Sequence, residues 1–517
     1  MPYLSYRKQK NGSTYVYEVE SYWDKDDKKP KNRQQYLGRL DDKTGEIVPS
    51  KRLEPSRVAV SNPAVTASTI VIGPSFILDK ITEDIGLKRI LKKCFSNEWE
   101  QLLSLTYYLT CRGEALSHAD SWLRNHQVAL PNGLSSQRIS ELLGRLSEDA
   151  KQTFFKSWGK MIGEKEYLCY DITSVSSYSD QNEYVRYGYN RDKEALKQIN
   201  LGMIYGQKSH LPVTYRRLPG SISDVSSLKN MLGSFDKLEF PKLHLVMDRG
   251  FYSQNNVDQL LSERYKFTLG VPTHLKWVKE NIDEVRSTMY GPEGYRKIDE
   301  EVLYVYTKLL SWGDEKRLCY LHLYFNAHRA ADTYDGFIDE LLTYKEELES
   351  GKRIKEHENY YQQFFIVKET PKRGLNASYN NEAIEAHRNR YSGFFTLLTN
   401  DIKDPVEALQ VYRDKDVVEK CFDDMKNSLD MKRLRMHTSK AMDSRLFIQF
   451  LSLIYVSQIR KTLREHEMMK KYTVRGLMNE LESLTNIRFS GKYGHMYSEV
   501  TKAQREIFEA FSIPLNL

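Results

Sequence analysis

The stretch YRDKDVVEKCFDDMK, from Tyr412 to Lys426, combines a phenol, two amines and a carboxylate at spacings of three, four and seven residues. Each residue of an α-helix advances by about 100°, so Tyr412, Lys415, Glu419 and Lys426 would share one face of a single helix. A carboxylate flanked by two amines and a phenol suits a metal ligand within a phosphate-binding surface. Charged helix faces are also common in solvent, where Lys415 and Glu419 would form an ordinary i,i+4 pair. The stretch alone leaves both interpretations open, and a helix break after Tyr412 would remove that residue from the face.

Two further carboxylates follow predicted strands. Asp171 lies at the end of the strand YLCYDITS, and Asp248 at the end of the apolar strand in KLHLVMDRGFYS. If these strands are neighbours, both carboxylates can meet Glu419 at one site. Such a trio would repel itself without a cation, and hard Mg²⁺ prefers carboxylate oxygens. Each aspartate alone is as readily a cap or turn residue, but together they favour two-metal phosphoryl transfer, with the metals roughly 4 Å apart.

The elements that must position these residues begin at residue 166. The pattern predicts three strands, a helix, a strand, a helix and a strand up to residue 271. This is the order of the α/β ribonuclease-H-like fold, a mixed sheet with flanking helices, in which the first and fourth strands are neighbours. We therefore predict a ribonuclease-H-like catalytic core in residues 166–271 and 393–453. GFFTLLTN, residues 393–400, would be the strand that returns the chain to this core.

Three other regions surround the predicted core. Residues 272–392 read as a mainly β insertion domain between the core strands and the Glu419 helix. Asp404 and Pro405 then give an N-cap and a first-turn proline for the following helical region. Residues 454–517 are predicted to be a C-terminal helical region.

The N-terminal part divides into a β segment and a helical region. Residues 1–60 contain the alternating strand TYVYEVESYW after the turn signal Asn11-Gly12, so we predict a β-hairpin that either contacts DNA or caps another domain. Residues 61–165 are helical and are assigned to DNA binding. A helix that begins near Ser135 could enter a DNA groove, although plain three-helix packing fits equally well.

Composition excludes several classes of protein. The 517 residues are 40% hydrophobic, yet the sequence has no run of 18 apolar residues, so we expect no membrane span. The N-terminus lacks the apolar core of a secretion signal. The five cysteines are scattered without a CxxC pair, which favours a reducing cytosol over disulfides or structural zinc. A net charge of +7 is compatible with a nucleic-acid partner.

The three motifs together resemble the DDE transposases of the bacterial cut-and-paste insertion-sequence class. Their third motif reads Tyr-x2-Arg-x3-Glu-x6-Lys, and this chain has Tyr412-x2-Lys415-x3-Glu419-x6-Lys426. The second motif, Asp-x-Gly-x-Tyr/Phe, appears from Asp248 as DRGFY, and the first, Asp-x-Thr/Ser, appears at residues 171–173 as DIT. Lys415 replaces the arginine of the family, and a lysine cannot make the forked phosphate contact of a guanidinium.

The resemblance implies specific roles for these residues. Asp171, Asp248 and Glu419 would be catalytic and bind two Mg²⁺ ions, for which Mn²⁺ would substitute. Tyr412, Lys415 and Lys426 would hold the phosphate and the end nucleotides of the transposon. The enzyme would cut the ends of its element, often through a DNA hairpin, and join them to target DNA. Its partners would be double-stranded DNA and, in the DNA complex, a second copy of the chain. It would work in the bacterial cytoplasm on the nucleoid, away from membranes.

Other residues are weaker candidates. Arg433, Arg435 and His437 follow the helix and could contact the DNA backbone, or they could be solvated or cap a helix. Trp277 or Trp312 could stack on a flipped base, although a buried core position fits each of them as well. Two other functions also fit the motifs. One is a transposase-derived DNA-binding protein that no longer cuts, and the other is a ribonuclease-H-like nuclease that cuts without joining.

Overall fold

The structure, a computed structural model, describes most of the chain. The described residues are 2–10, 12–24, 28–49, 66–162, 166–179, 182–238, 244–370, 374–387, 391–436, 438–490 and 494–514. They form two compact units. The smaller unit comprises Met1–Ser68 and Arg488–His495, and the larger comprises Thr69–Ile487 and Met496–Leu517. The first boundary therefore follows residue 68, whereas the sequence suggested one after residue 60.

The smaller unit contains an antiparallel sheet with the strand order β1-β2-β3-β4. Its strands are β1 Tyr3–Lys8, β2 Thr14–Asp24, β3 Lys29–Leu40 and β4 Ile47–Val48. The predicted strand TYVYEVESYW is confirmed as β2, which pairs with β1 as the expected hairpin, and β3 and β4 extend the sheet. Asn11 of the predicted turn lies outside the described residues. Val16 and Val19 are buried, while most other side chains of the sheet are partly or fully exposed.

The remaining elements follow in chain order. The helices are α1 Gly73–Asp84, α2 Leu87–Cys94, α3 Trp99–Arg112, α4 Ala119–Asn125, α5 Ser136–Arg145, α6 Glu148–Ile162, α7 Asp224–Leu238, α8 Gln254–Ser262, α9 Lys276–Met289, α10 Ala327–Glu349, α11 Glu358–Phe364, α12 Asn381–His387, α13 Pro405–Arg413, α14 Asp416–Asn427, α15 Ser439–Glu465, α16 Val474–Leu481 and α17 Lys502–Ala510. The strands are β5 Ala67–Val71, β6 Tyr167–Ser177, β7 Gln198–Gly206, β8 Pro212–Pro219, β9 His244–Met247, β10 Lys266–Val271, β11 Tyr295–Ile298, β12 Glu301–Trp312, β13 Arg317–Phe325, β14 Phe365–Thr370, β15 Gly374–Tyr379, β16 Phe394–Thr399, β17 Arg433–Leu434, β18 Thr485–Phe489 and β19 His495–Tyr497.

A mixed sheet forms the centre of the larger unit. Its strand order is β11-β12-β13-β16-β10-β9-β6-β7-β8, and β17 pairs with β6 off this path. β6 pairs in parallel with β9 and antiparallel with β7, while β9 pairs in parallel with β10. Along the chain the elements β6, β7, β8, α7, β9, α8 and β10 follow in the predicted succession. The first and fourth strands of that series are hydrogen-bonded neighbours.

The segment 272–392 differs from the mainly β insertion expected from the sequence. It mixes helices α9 to α12 with strands β11 to β15. Three of these strands continue the main sheet, because β13 pairs with β16, and β16 pairs with β10. β14 and β15 form a separate hairpin that packs with α10 to α12 around its own small core. The predicted return strand is confirmed as β16.

Helices from both ends of the chain pack together. The long helix α15 is buried along most of its length. Its Tyr455 hydroxyl lies 2.6 Å from the Thr82 hydroxyl of α1, and its ring contacts Tyr107 of α3 at 5.5 Å between centroids. The helical pattern at residues 134–158, which fitted one helix or two, forms two helices, α5 and α6, and Ser135 caps the first. α15 thus crosses the boundary expected at residues 453 and 454.

Among the described helices, none is both long and apolar enough to cross a bilayer.

Candidate active site

Asp171 lies on β6, and Asp248 directly follows β9, the neighbouring strand of the central sheet. Tyr170 of β6 is paired with Met247 of β9, so the two aspartates are the next residues along the two strands. The sequence suggested that Asp171 ends its strand. In the structure Asp171 stands within β6, because β6 continues beyond it along β7. β9 does end before Asp248, whose carboxylate accepts a hydrogen bond from the Arg249 backbone N–H at 2.8 Å. Backbone pairing therefore brings the first two carboxylates together.

Asp171 faces the side of the sheet on which α14 packs. Side chains alternate between the two faces of a strand, so Asp171 points to the same face as Cys169. Cys169 belongs to the core cluster that also contains Cys421 and Phe422 of α14. Glu419 is on this helix. The apolar contacts between α14 and β6 thus carry the third carboxylate to the face of the sheet that holds Asp171.

The two strand carboxylates have different electrostatic environments. Burial raises the pKa of Asp171 to about 6, although a hydrogen bond from the Ile172 N–H and nearby positive charges, including Lys415, favour its ionised form. Burial also acts to raise the pKa of Asp248, but the hydrogen bond from Tyr412 and the charge of Lys415 outweigh it. The pKa of Asp248 is therefore lowered. A positive charge placed between the two would favour the ionised form of both.

The third motif spans two helices, which decides the question that the sequence left open. α13 ends at Arg413 and α14 begins at Asp416, so Tyr412 does not share a helix face with Glu419. Tyr412 still reaches the site, because its hydroxyl donates a hydrogen bond to Asp248 Oδ1 at 2.5 Å. The break orients the phenol toward the sheet and the α14 side chains along its surface.

Lys415 lies among the three carboxylates. Its ammonium donates to Glu419 Oε1 at 3.1 Å and lies 5.3 Å from the centre of the Tyr412 ring. Burial would lower the pKa of Lys415, but the charges of Asp248, Glu419 and Asp171 raise it overall. Lys415 thus supplies the positive charge that these carboxylates require, and the predicted i,i+4 pair is present.

The donor set suits a hard divalent cation, although the third carboxylate is turned aside. Carboxylate oxygens from adjacent strands are the ligands that Mg²⁺ and Mn²⁺ take in proteins. Among the described residues, however, no three Asp, Glu, His or Cys side chains are placed to hold one metal as they stand. The Glu419 side chain is 56% exposed and bonded to Lys415. Asp171 and Asp248 fit a metal, and Glu419 would join them by releasing Lys415.

Comparison with known families decides what this arrangement belongs to. The sequence profile described as "Transposase DDE domain" matches residues 163–455, more than half of the chain. The chain belongs to the DDE transposase family. It is a DNA transposase, an enzyme that cuts and joins DNA, and such enzymes depend on metal ions.

The other comparisons add little. The transposase is similar to a solved piggyBac transposase synaptic complex with hairpin DNA, at 10% identity and a TM-score of 0.37, over 85% of this chain and 77% of that one. A TM-score this low establishes no shared fold. No curated protein matched the sequence.

Lys426 of the transposase is already ion-paired. Its ammonium contacts both carboxylate oxygens of Asp192, at 2.7 and 2.9 Å, and only 8% of the residue is exposed. Asp192 lies in the loop between β6 and β7, 234 residues earlier in the chain. In the described structure Lys426 therefore faces a carboxylate of its own chain.

The same loop pairs with other cations near the site. Glu194 accepts hydrogen bonds from the Arg433 guanidinium at 2.7 and 3.1 Å, and Arg435 lies 5.4 Å from the centre of the Tyr178 ring. β17, which contains Arg433, pairs with the end of β6. His437 lies outside the described residues. The two arginines are thus placed beside the strand that carries Asp171.

A second acidic group at this edge was missed by the sequence analysis. Asp224, at the start of α7, accepts hydrogen bonds from the Arg191 guanidinium at 2.9 and 3.0 Å. Its Oδ2 would lie 3.2 Å from a β-carbon added at Gly250. Gly250 belongs to the DRGFY motif. The acidic residues Asp192, Glu194 and Asp224 lie in a loop or at the end of a helix, where hydrophobic periodicity does not reveal them. The only sequence signal was the alternating charge of RDKE at residues 191–194.

The two candidate tryptophans are packed into the protein. Trp277 donates to the Tyr252 hydroxyl at 3.1 Å, and Trp312 donates to Asp258 at 2.7 Å. Their rings contact each other at 5.7 Å between centroids, and both pack against buried core residues. These contacts favour the structural interpretation of both residues.

Proposed function

We propose that this transposase belongs to the bacterial cut-and-paste insertion-sequence class and moves its element by cutting both ends and joining them to target DNA. The order of the motifs at Asp171, Asp248 and Tyr412-x2-Lys415-x3-Glu419-x6-Lys426 supports this class. The main support is the register of β6 and β9, which makes Asp171 and Asp248 neighbours on the side of the sheet where the helix with Glu419 packs.

We assign the core to the ribonuclease-H-like fold. Support comes from the strand order β8-β7-β6-β9-β10, in which the first three strands along the chain are antiparallel and the last two are parallel to the first. The proposed core comprises residues 166–271 and 393–453, and residues 272–392 form the insertion. We assign end recognition to residues 1–165 together with residues 454–517, because the catalytic sheet has no element that suits reading DNA bases.

Asp171, Asp248 and Glu419 would hold two Mg²⁺ ions, with Mn²⁺ as a substitute. When bound, such ions activate the attacking oxygen and stabilise the leaving oxygen of an in-line displacement at phosphorus. The Tyr412 hydroxyl keeps Asp248 ionised and fixes its Oδ1. Lys415 neutralises the carboxylates of the free enzyme and moves toward phosphate when the metal site fills.

The remaining candidates would bind the DNA backbone. Lys415 and Lys426 are point donors that suit phosphate oxygens, and Arg435 and His437 would extend this surface. Lys426 must exchange Asp192 for phosphate, a substitution of one anion by another. We further propose that two copies of the chain hold the two element ends, on the nucleoid of a bacterial cell.

A cut-and-join assay tests this function. The full chain is mixed with Mg²⁺, a plasmid carrying the inverted repeats that flank its gene, and target DNA. Wild type should release the element and join it to the target. Glu419→Gln should abolish both steps, because a neutral amide is a much weaker metal ligand.

The matched control is Asp423→Asn, which changes an exposed acid on the same helix α14. It should retain activity within about threefold, since Asp423 is not one of the three proposed metal ligands. Cleavage without joining would indicate a nuclease. End binding by wild type without any cleavage would indicate a DNA-binding protein and would contradict the proposal.

A further inference from the structure

Two tyrosines in the loop between β6 and β7 are unusually exposed. Tyr189 is 83% exposed and Tyr187 is 68% exposed, which makes them the two most exposed large hydrophobic side chains among the described residues. Only Gly188 separates them. Aromatic side chains of this size usually gain from burial, so such a pair on the surface is a candidate contact site.

The backbone beneath the two rings is firmly held. Arg186 and Gln198 exchange backbone hydrogen bonds of 2.9 Å, and the Gln198 side chain donates to the Tyr189 carbonyl at 3.0 Å. Gly188 lies so close to Gly220 that an added β-carbon would come within 1.9 Å of the Gly220 carbonyl oxygen. The tyrosines are thus exposed on an ordered backbone, and a ligand would bind them at little cost in backbone entropy.

The pair stands beside the catalytic edge. The following residues tie the loop to β6, because Asn190 donates to Ser176 at 3.1 Å and the Arg191 N–H donates to Ser174 at 2.9 Å. Both serines are on the strand that carries Asp171. Ser174 and Ser176 are about 10 and 17 Å beyond Asp171 along β6, and Asp192 of the same loop contacts Lys426 of α14. A DNA strand that runs from the proposed metal site past Lys426 would therefore pass this loop within a few nucleotides.

We infer that Tyr187 and Tyr189 form a stacking platform for unpaired DNA bases a few nucleotides from the cut. Residues two apart in an extended chain are about 7 Å from each other, roughly twice the 3.4 Å between successive bases of one strand. The Lys197 ammonium lies 5.9 Å from the centre of the Tyr187 ring, but with 68% of Tyr187 and 83% of Tyr189 exposed each ring can still take a base of the same strand. Paired bases have their faces covered by neighbours, so the platform selects a splayed end over intact duplex.

This inference rests on the proposed function for the position of the DNA, and a binding assay separates the two. The full chain is titrated, with Ca²⁺ replacing Mg²⁺ to prevent cleavage, against two DNAs that both carry the element end. One is fully paired, and the other has unpaired nucleotides at the end to be cut, with 2-aminopurine among them.

The double variant Tyr187→Ala/Tyr189→Ala should bind the splayed DNA roughly 30-fold or more weakly, while binding of the paired DNA changes by less than about threefold. Quenching of 2-aminopurine should disappear with it. Tyr187→Phe/Tyr189→Phe keeps the rings and should behave as wild type. The control Tyr306→Ala, which removes an exposed tyrosine from β12, should change neither affinity.

An equal loss on both DNAs, or no loss on either, would overturn the platform. Failure of the proposed function has a different signature, because Lys426→Ala should weaken binding of both DNAs. If Lys426→Ala binds both normally while the tyrosine variant retains its selective loss, the platform is correct and the assigned role of Lys426 is wrong.

Discussion

The proposed metal and DNA ligands of the transposase come from two kinds of element, and these differ in how far the site is assembled. Asp171 is on β6 and Asp248 directly follows the paired strand β9, so the backbone register places the two side by side. Glu419 and Lys426 are on α14, and each is bonded to another charge of the same chain, Lys415 and Asp192 respectively. We call Asp171 and Asp248 the strand half of the site, and Glu419 and Lys426 the helix half. The strand half is already in place, whereas the side chains of the helix half are bonded to other residues of the chain.

The difference follows from what fixes each side chain. A short aspartate on a central strand has few rotamers, and the sheet on either side of β6 and β9 leaves its backbone little freedom. Glutamate and lysine on a helix surface have several rotamers and pair with the nearest opposite charge. Metal and DNA would therefore complete the site by replacing Lys415 and Asp192 as partners of the α14 side chains.

The largest expected effect is a difference in Mn²⁺ affinity between variants of the strand half and variants of the helix half. Asp171→Asn and Asp248→Asn should each lower cleavage by at least about a thousandfold and should also abolish most Mn²⁺ binding without DNA. Glu419→Gln should lower cleavage as much but keep Mn²⁺ affinity within about tenfold, because its carboxylate is turned toward Lys415 in the free chain. Mn²⁺ titration by electron paramagnetic resonance measures this. Equal loss of Mn²⁺ binding in all three variants would show that the helix half is assembled before DNA binds.

Lowering the pH should reduce the folding stability that His244 contributes to β9, the strand before Asp248. His244 begins β9, and burial lowers its pKa to about 4, while hydrogen bonding with Asp401 acts in the opposite direction. The unfolded chain binds this proton near pH 6.5, so stability is full above pH 6.5 and falls as the pH drops toward 4. The loss from this residue is at most roughly 3 to 4 kcal/mol, because its pKa falls from 6.5 to about 4 and each pKa unit corresponds to about 1.36 kcal/mol.

Urea unfolding of the metal-free protein at several pH values measures the effect. His244→Gln removes the titrating group, so its midpoint should fall less steeply than that of wild type between pH 6.5 and 4.5. His274→Gln is the control, since His274 follows β10 outside that strand pair. Identical slopes for wild type and His244→Gln would show that His244 is not held neutral by the sheet.

The helix half should respond to removal of its internal anion. Asp192→Asn leaves Lys426 without its carboxylate, so DNA phosphate no longer competes with it, and affinity for end DNA should rise about three- to tenfold. Lys426→Ala should weaken binding and reduce the slope of log affinity against log salt by about one.

A double-mutant cycle in DNA-binding titrations checks the coupling. In the Lys426→Ala background, Asp192→Asn should change affinity by less than about twofold, since the competitor and its target must both be present. Glu194→Gln is the matched control in the same loop, because the hydrogen-bonded ion pair of Glu194 is with Arg433. A gain from Asp192→Asn that persists without Lys426 would mean that only the net charge of the loop matters.

Much of the strand half could be predicted from the sequence, and less of the helix half. The apolar strand before Asp248, the cap at Asp404 and the return strand β16 all have local signals in hydrophobic periodicity and capping. The break between α13 and α14 has no proline or glycine to mark it. The bond between Asp192 and Lys426 spans 234 residues, and the joining of β13 to β16 depends on pairing across α10 to α12. Such contacts arise from tertiary packing, which a local pattern does not encode.

The smallest effect concerns Lys415, where the chain departs from the arginine of the family motif. The ammonium lies among Asp171, Asp248 and Glu419, so Lys415→Arg keeps the positive charge and should change metal-free stability by less than about 1 kcal/mol. The longer, forked guanidinium can bind phosphate through two hydrogen bonds, so affinity for end DNA should stay equal or rise by up to about fivefold. Lys415→Gln, which removes the charge, should lose both stability and DNA affinity. Urea unfolding and a DNA titration of both variants separate the effect of the charge from that of the side-chain shape. If DNA affinity falls as far for Lys415→Arg as for Lys415→Gln, this site requires the compact ammonium, which is closed in by three carboxylates and the Tyr412 ring.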